Sequence, residues 1–124
     1  MNLLENLGIK VVEQTKKKVV LEMTIEDIHL QPYKIMHGGL NAVLAETAGS
    51  IGANLNIKED GFAAVGVDIM THQLNKIKDG IVIAEATPVR IGKNIQTWQA
   101  FTHKKGSAIN ASLSTMTLKK VKVD

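Results

Sequence analysis

One acidic side chain stands alone in a long apolar stretch. Between Gly39 and Ile57 the only charged residue is Glu46, and its neighbours are apolar or small. Apolar residues recur there at helical spacing, which predicts a helix, and a helix that is apolar nearly all round is expected to be buried. A carboxylate is costly to bury unless it is paired, hydrogen-bonded or protonated. Glu46 is therefore either a catalytic carboxylate or a glutamate that reaches solvent or an arginine from a packed core helix.

A histidine and two glycines, His37-Gly38-Gly39, stand directly before this helix. Glycine lets the backbone approach a ligand closely, and the unpaired N–H groups at a helix start favour a negative oxygen. Ser50 lies four residues after Glu46 and so shares its helix face, and Asn41 lies about a turn and a half upstream. One segment thus offers a carboxylate and a backbone that can bind an oxyanion.

Composition excludes several other kinds of site. With 124 residues, 44% of them hydrophobic, the chain suits one domain with one core, spanning residues 1–124. It has no cysteine, which excludes disulfides, thiolate chemistry and zinc–sulfur sites. The histidines are scattered without metal-ligand spacing, so no metal is expected. No Gly-x-Ser-x-Gly motif is present, so a serine nucleophile is unsupported.

The charge balance and the apolar pattern bear on partners and location. A net charge of +3 comes with only 3% aromatic residues, so base stacking is a poor prospect, and a small polyanion such as a phosphorylated cofactor is a better candidate ligand than nucleic acid. No signal segment and no apolar run of membrane-spanning length are visible. We therefore expect a cytoplasmic protein without a membrane partner.

The apolar pattern predicts a short helix, two strands, a loop, the long helix and then consecutive strands. The predicted elements are the helices Met1–Leu7 and Leu40–Asn56, the loop Glu26–Met36, and the strands Ile9–Gln14, Lys17–Ile25, Phe62–Asn75, Gly80–Ile91, Ile95–His103 and Ser107–Lys120. The basic tail Lys119–Asp124 is expected to fray. This is an α+β layout, in which a curved antiparallel sheet wraps one buried helix. The small residues on one side of that helix leave room for another backbone and suggest that a second copy covers part of the surface.

The stretch from Gln31 through His37-Gly38-Gly39, followed by Leu44-Ala45-Glu46-Thr47-Ala48-Gly49-Ser50, resembles the hotdog-fold acyl-CoA thioesterases. The group that it resembles most contains the phenylacetic-acid-pathway thioesterase, the 4-hydroxybenzoyl-CoA thioesterase of the Glu-using type and the 1,4-dihydroxy-2-naphthoyl-CoA thioesterase. The order of elements also matches, so the resemblance covers nearly the whole chain. It implies an acyl-CoA thioesterase that needs no cofactor, since coenzyme A is part of the substrate.

The resemblance also implies an assembly and a division of roles. Such enzymes form dimers with the two sheets joined edge to edge, often dimers of dimers, and their active sites lie at the dimer interface. There the helix carboxylate of one subunit faces the histidine-glycine loop of the other. By matching position, Glu46 would be the catalytic carboxylate and the Gly38 N–H would polarise the thioester carbonyl. Gln31 and His37 would orient the thioester or the attacking water. Ser50 would hydrogen-bond near the carboxylate or that water.

Further substrate contacts are predicted at Gly39, Asn41, His72, Arg90, Gly92 and Lys93. Related enzymes carry a polar pair after the third strand, where His72 either approaches the acyl group or merely caps a strand end. Family members hold the nucleotide near turns such as the one around Gly92, and of its flanking charges Lys93 is the preferred candidate. Lys104 and Lys105 flank another turn. Each of these charges could equally be an ordinary solvated turn residue.

Two other functions remain open from the sequence. A hotdog hydratase or dehydratase would use a histidine with a helix acid, for which His37 and Glu46 could serve. A non-catalytic acyl-CoA-binding module would bind without turnover. The sequence leaves open which acyl group is preferred, an aromatic one included, and whether Glu46 attacks the carbonyl or activates a water.

Overall fold

The structure is a computed structural model that describes residues 1–123. Its elements in chain order are helix α1 (Leu3–Leu7), strands β1 (Ile9–Gln14) and β2 (Val19–Thr24), a 3-10 turn (Asp27–His29), helix α2 (Gly39–Leu55), and strands β3 (Phe62–Gln73), β4 (Ile81–Ile91), β5 (Ile95–Lys104) and β6 (Asn110–Lys122). The predicted order of elements is confirmed. Neither helix within residues 1–123 is long and apolar enough to cross a membrane.

The six strands form one antiparallel sheet in the order β1-β2-β4-β5-β6-β3, and α2 packs across one of its faces. Side chains alternate along the inner strands, as on β5, where every second residue from Gln96 to Thr102 is buried. One long helix against one face of an antiparallel sheet is the α+β arrangement predicted from the sequence.

The side of α2 that carries small residues lies against this sheet. A Cβ added at Gly49 would lie 2.3 Å from Met116 Sδ, and one added at Gly52 would lie 2.2 Å from Cη2 of Trp98. These two glycines allow α2 to sit close to β5 and β6, and the alanines beside them are buried. The close approach predicted for this side is therefore made to the chain's own sheet and not to a second copy.

Strand β3 lies at an edge of the sheet. It pairs with β6 on one side, and no strand within residues 1–123 pairs with its other side. Apolar side chains are exposed along it, including Val67 at 58% and Met70 at 61%. A long edge strand with such side chains is a site for pairing with a further strand.

The C-terminal tail is held in the sheet, so the prediction that it frays is wrong for its described part. Strand β6 continues through Lys122, which pairs with Phe62 at the start of β3. The physical reason is that β3 is long enough to give the tail a partner, and Lys120 adds an ion pair to Glu59 at 2.6 Å. Asp124, the last residue of the predicted tail, lies outside the described residues.

Candidate active site

The segment before α2 is a small hairpin. Leu30 and Met36 form an antiparallel bridge, and the His37 N–H donates a hydrogen bond to the His29 carbonyl at 2.8 Å. His29 itself is buried. The backbone of His37 is therefore fixed directly before the first turn of the helix.

His37 also caps that first turn in place of the usual serine, threonine or aspartate. The Gly39 N–H donates to His37 Nδ1 at 2.9 Å. The Leu40 N–H donates to the His37 carbonyl at 3.1 Å, and the following N–H, that of Asn41, donates to the Gly38 carbonyl at 3.0 Å. In the part of the chain that is described, no acceptor receives the Gly38 N–H. The helix start therefore keeps one backbone donor, at Gly38, available for a negative oxygen.

Gln73, the last residue of β3, covers Gly38. A Cβ added at Gly38 would lie 1.8 Å from Gln73 Oε1, so only glycine fits beneath this amide. Sequence reasoning chose His72 for this area and missed Gln73. Side chains alternate along a strand, and Ile69, Thr71 and Gln73 face α2. The structure thus places His72 on the other face of the sheet, away from the helix start.

A cavity of about 180 Å³ lies between the helix start and the end of β3, and Gly38, Asn41 and Gln73 are among its lining residues. We call it the Gly38 pocket. Asn41 is only 3% exposed, and its Oδ1 accepts a hydrogen bond from Thr102 Oγ1 at 2.8 Å. Asn41 therefore lines the cavity beside Gly38, on a different side of α2 from Glu46.

Glu46 is exposed to solvent within one chain. The expectation that α2 is buried nearly all round is wrong within one chain, because the helix packs on the sheet with Leu44 and its small residues and leaves the side that carries Glu46 open. On that open side Glu46 and Ser50 line a cavity of about 370 Å³, which we call the Glu46 pocket. Its remaining lining residues are Leu3, Leu4, Val43, Thr47 and Ile51. The carboxylate thus stands in a surface that is mainly aliphatic.

Gly66 on β3 makes room for this carboxylate. A Cβ added at Gly66 would lie 2.8 Å from Glu46 Oε2. The strand register shifts between Gly66 and Asp68, where β3 bulges, and a cavity of about 120 Å³ extends from Glu46 along Gly66–Ile69. Sequence reasoning missed this residue, although a glycine inside an apolar strand often marks a close approach of another group.

Two other predicted residues are placed differently with respect to the carboxylate. Gln31 uses its side-chain oxygen locally, since Oε1 accepts a hydrogen bond from the Tyr33 N–H. Ser50 lies in the Glu46 pocket, and its Oγ accepts only a long contact of 3.5 Å from Asn54 Nδ2. Its hydroxyl proton is free to reach a ligand or a water. Within one chain, the structure therefore brings Ser50 to the carboxylate and leaves Gln31 on the separate hairpin.

The β4–β5 hairpin carries the residues predicted to bind coenzyme A. Gly92 is required by the turn, because a Cβ there would lie 2.6 Å from a carbonyl oxygen across it. Gly92 and Lys93 line a cavity of about 140 Å³ together with Lys58 and Lys120. Arg90 is exposed and is not part of that lining. Glu59 lines the same cavity, and Arg90 Nη1 would lie 3.6 Å from a Cβ added at Gly92, so the guanidinium lies beside this turn as well.

The turn of Lys104 and Lys105 is already partly neutralised. Lys104 Nζ donates a hydrogen bond to Asp79 Oδ1 at 2.5 Å. This hydrogen bond and the ammonium charge hold the pKa of the exposed Asp79 carboxyl below its ordinary value.

Within residues 1–123, no three histidine or acidic side chains are grouped so that they could hold a metal ion.

Comparison with known proteins gives a consistent picture. Residues 33–109 match the family model described as the thioesterase superfamily. The chain is 35% identical over 121 residues to a 1,4-dihydroxy-2-naphthoyl-CoA hydrolase from Listeria monocytogenes, covering 97% of this chain and 98% of the relative. It is 38% identical over 98 residues to 1,4-dihydroxy-2-naphthoyl-CoA thioesterase 2 from Arabidopsis thaliana, covering 77% of this chain and 60% of that one.

The fold is shared with solved structures. A thioesterase from Haemophilus influenzae superposes with a TM-score of 0.89 at 32% identity, over 97% of this chain and 82% of that one. The predicted hotdog fold is thereby confirmed, and so is the resemblance from which it was inferred.

Proposed function

The chain belongs to the thioesterase superfamily, and we propose that it hydrolyses acyl-CoA thioesters to a free acid and coenzyme A. A relative that matches nearly the whole chain carries the name of a coenzyme A thioester hydrolase. One observation carries the proposal: α2 combines a free backbone donor at Gly38 with a carboxylate at Glu46. Thioester hydrolysis uses a donor for the oxyanion and a group that supplies or activates the nucleophile.

One chain alone cannot present both groups to the same carbonyl. Gly38 and Glu46 are eight residues apart, which is about 12 Å along a helix, whereas donor and base must each lie within about 3 Å of the reacting atoms. We therefore infer that a second copy completes the site. Glu46 of one copy would act on a carbonyl held by the Gly38 N–H of the partner subunit. Hotdog thioesterases are usually oligomeric.

The free edge of β3 supports this assembly. β3 runs antiparallel to α2, with Gly66 against Glu46 and Gln73 against Gly38. An antiparallel pairing of two β3 edges about a two-fold axis near Ile69 would set Gly66 of one copy opposite the partner's Gln73. Each carboxylate would then face the partner's Gly38 pocket, and the exposed edge would gain a strand partner. In the dimer the partner would also shield Glu46 from bulk solvent.

Two routes of hydrolysis fit this arrangement. In the first, Glu46 removes a proton from a water, the hydroxide adds to the thioester carbon, and the Gly38 N–H stabilises the oxyanion. In the second, Glu46 itself adds to that carbon and forms an anhydride, which water then cleaves. In both routes the C–S bond breaks when the oxyanion collapses, and coenzyme A leaves as a thiolate that takes up a proton. Incorporation of oxygen-18 into the enzyme during a single turnover separates the two.

The neighbouring side chains supply orientation. Because His37 Nδ1 accepts the Gly39 N–H, its neutral ring carries the proton on Nε2. That N–H would donate to the thioester or to the attacking water. The Ser50 hydroxyl can donate to the same water or to the carboxylate. Asn41 lines the Gly38 pocket, so its amide can contact the acyl or pantetheine chain, and the side-chain NH₂ of Gln31 can do so from the hairpin.

The coenzyme's phosphates are proposed to bind at Lys93. Lys93, Lys58 and Lys120 line one cavity, and of these Lys120 is already bonded to Glu59 at 2.6 Å. Lys93 and Lys58 keep their charge available for phosphate oxygens. Arg90, on the strand that leads into the same hairpin, would add charge from outside this cavity.

The experiment measures thiol release from a panel of acyl-CoA esters by the wild type and the Glu46→Gln variant. We expect the variant to lose about a hundredfold or more in kcat, because the amide can neither take a proton nor attack. Glu13→Gln, at an exposed position on β1, is the control and keeps full activity. Unchanged turnover by a folded Glu46→Gln variant rejects the role. A change in unsaturation without thiol release would instead indicate a hydratase, and tight binding without turnover a binding module.

A further inference from the structure

We propose that α1 forms one wall of the acyl-binding pocket and that Leu3 and Leu4 determine which acyl chains the enzyme accepts. The inference rests on the proposed function, because it takes Glu46 as the group that acts on the thioester. It assigns a role to the N-terminal helix, which the catalytic arrangement described above does not use.

The Glu46 pocket has the chemistry of a hydrocarbon site with one polar region. Its polar groups are the Glu46 carboxylate and the Ser50 hydroxyl, since the Thr47 hydroxyl already donates to the Val43 carbonyl at 2.6 Å. The rest of the lining is aliphatic. Its volume of about 370 Å³ is near the lower end for small-molecule sites, which span roughly 300–1,000 Å³. The pocket therefore fits an acyl group, with the much larger coenzyme lying outside.

Leu3 and Leu4 of α1 have no role in the core that would explain them. No residue of α1 is buried, and Leu3 is 58% exposed. Leu7, one turn further on, packs against the core and fixes the helix on the sheet side. Leu3 and Leu4 instead face α2 across the Glu46 pocket. An exposed Leu3 and a half-buried Leu4 beside a reactive carboxylate are explained if their contact is a substrate chain.

His29 holds this wall in place. Its ring is only 1% exposed, and its Nε2–H donates to the carbonyl of Leu7, the last residue of α1, at 2.8 Å. Its Nδ1 accepts the Glu26 N–H at 2.8 Å, which fixes that tautomer. The His29 carbonyl in turn accepts the His37 N–H. His29 is thus a positioning residue that ties the acyl wall to the hairpin leading to the oxyanion donor.

The test compares kcat/KM for acetyl-, butyryl-, octanoyl-, dodecanoyl- and benzoyl-CoA across variants of the full chain. Each buried methylene contributes about a fourfold factor, so removing a leucine side chain from the wall should admit several more carbons. We expect Leu3→Ala and Leu4→Ala to raise the dodecanoyl-to-butyryl ratio by about tenfold or more. Ile28→Ala is the control, because Ile28 is 66% exposed, precedes His29 in the chain and lines none of the cavities described above. It should leave the ratio unchanged.

His29→Leu removes both imidazole hydrogen bonds and should reduce the dependence of kcat/KM on acyl-chain length. A purely structural defect would instead lower kcat/KM for all substrates by the same factor. If that variant does not fold, the Leu3→Ala and Leu4→Ala variants still test the proposal, because neither leucine is buried. Affinities of non-hydrolysable alkyl-CoA thioethers, measured by calorimetry, give the same profile independently of turnover. A chain-length profile unchanged in Leu3→Ala and Leu4→Ala, or a loss of oligomer in those variants, overturns the proposal. The wild type could also fail to hydrolyse any acyl-CoA while its affinity for thioethers of different chain length still changes in Leu3→Ala and Leu4→Ala. That result would overturn the proposed function and leave the role of α1 in binding intact.

Discussion

The contact between Gly66 and Glu46 gives a sharp prediction about positioning. In Gly66→Ala the new Cβ would lie 2.8 Å from Glu46 Oε2 and 3.4 Å from its Cδ. An ordinary contact is about 3.5 Å, so the oxygen must withdraw by roughly 0.7 Å. A misplacement of about 1 Å can cost a hundredfold in rate, so we expect kcat to fall about tenfold to a hundredfold, or about 1.4–2.7 kcal/mol of barrier.

Stability should change little in this variant, within about 1 kcal/mol. The atom that must move is the end of a flexible, exposed side chain, and Gly66 does not have a positive φ that alanine would resist. The measurement is thiol-release kinetics together with chemical denaturation of the same preparation.

A double-mutant cycle supplies the control. In the Glu46→Gln background, adding Gly66→Ala should cost less than about twofold further, because the group that it displaces no longer acts. Wild-type kcat in Gly66→Ala would refute the argument. A loss of equal size in both backgrounds would do so too, since it would show that the glycine acts through something other than the carboxylate.

Three further predictions concern the oxyanion donor, the strand edge and helix packing. Gly38→Ala should lower kcat about a hundredfold, because its methyl would lie 1.8 Å from Gln73 Oε1. Adding Gln73→Ala should restore part of the activity, and a double variant with no recovery would show that this clash is not the cause. Val67→Lys should shift sedimentation toward monomer and make specific activity depend on enzyme concentration, whereas Val12→Lys, equally exposed on β1, should not. Gly52→Ala should lower the free energy of unfolding by about 1–3 kcal/mol, because its Cβ would lie 2.2 Å from the indole ring of Trp98. An unchanged denaturation midpoint would contradict this prediction.

Much of the fold was predictable because its signals are local. The alternation along β5 and the apolar repeat of α2 follow from which faces are buried, and the sequence His37-Gly38-Gly39 marks the helix start. The same local pattern failed for the orientation of α2. Bulky apolar residues suggest a core face, yet Gly49 and Gly52 face the core because Met116 and Trp98 project from the sheet to fill the space.

The parts of the candidate site that sequence reasoning missed depend on contacts across the fold. Gln73 meets Gly38 only because β3 ends where α2 begins, and Gly66 meets Glu46 only because the strand bulges there. Neither contact can be predicted from the residues that are adjacent in sequence to Gly38 or Gly66. The exposure of Glu46 has a similar cause, since composition reports that a helix is apolar but not which of its sides is packed within the chain.

The central claim is that one active site uses Glu46 from one copy and Gly38 from another, and mixing two inactive variants tests it most directly. Glu46→Gln and Gly38→Ala are unfolded together, refolded as a mixture, and assayed after the formation of heterodimers is verified by mass. Each heterodimer would contain one site with both native groups, so we predict recovery of about a quarter of wild-type activity. Heterodimers that form yet show no more activity than either variant alone would contradict the claim.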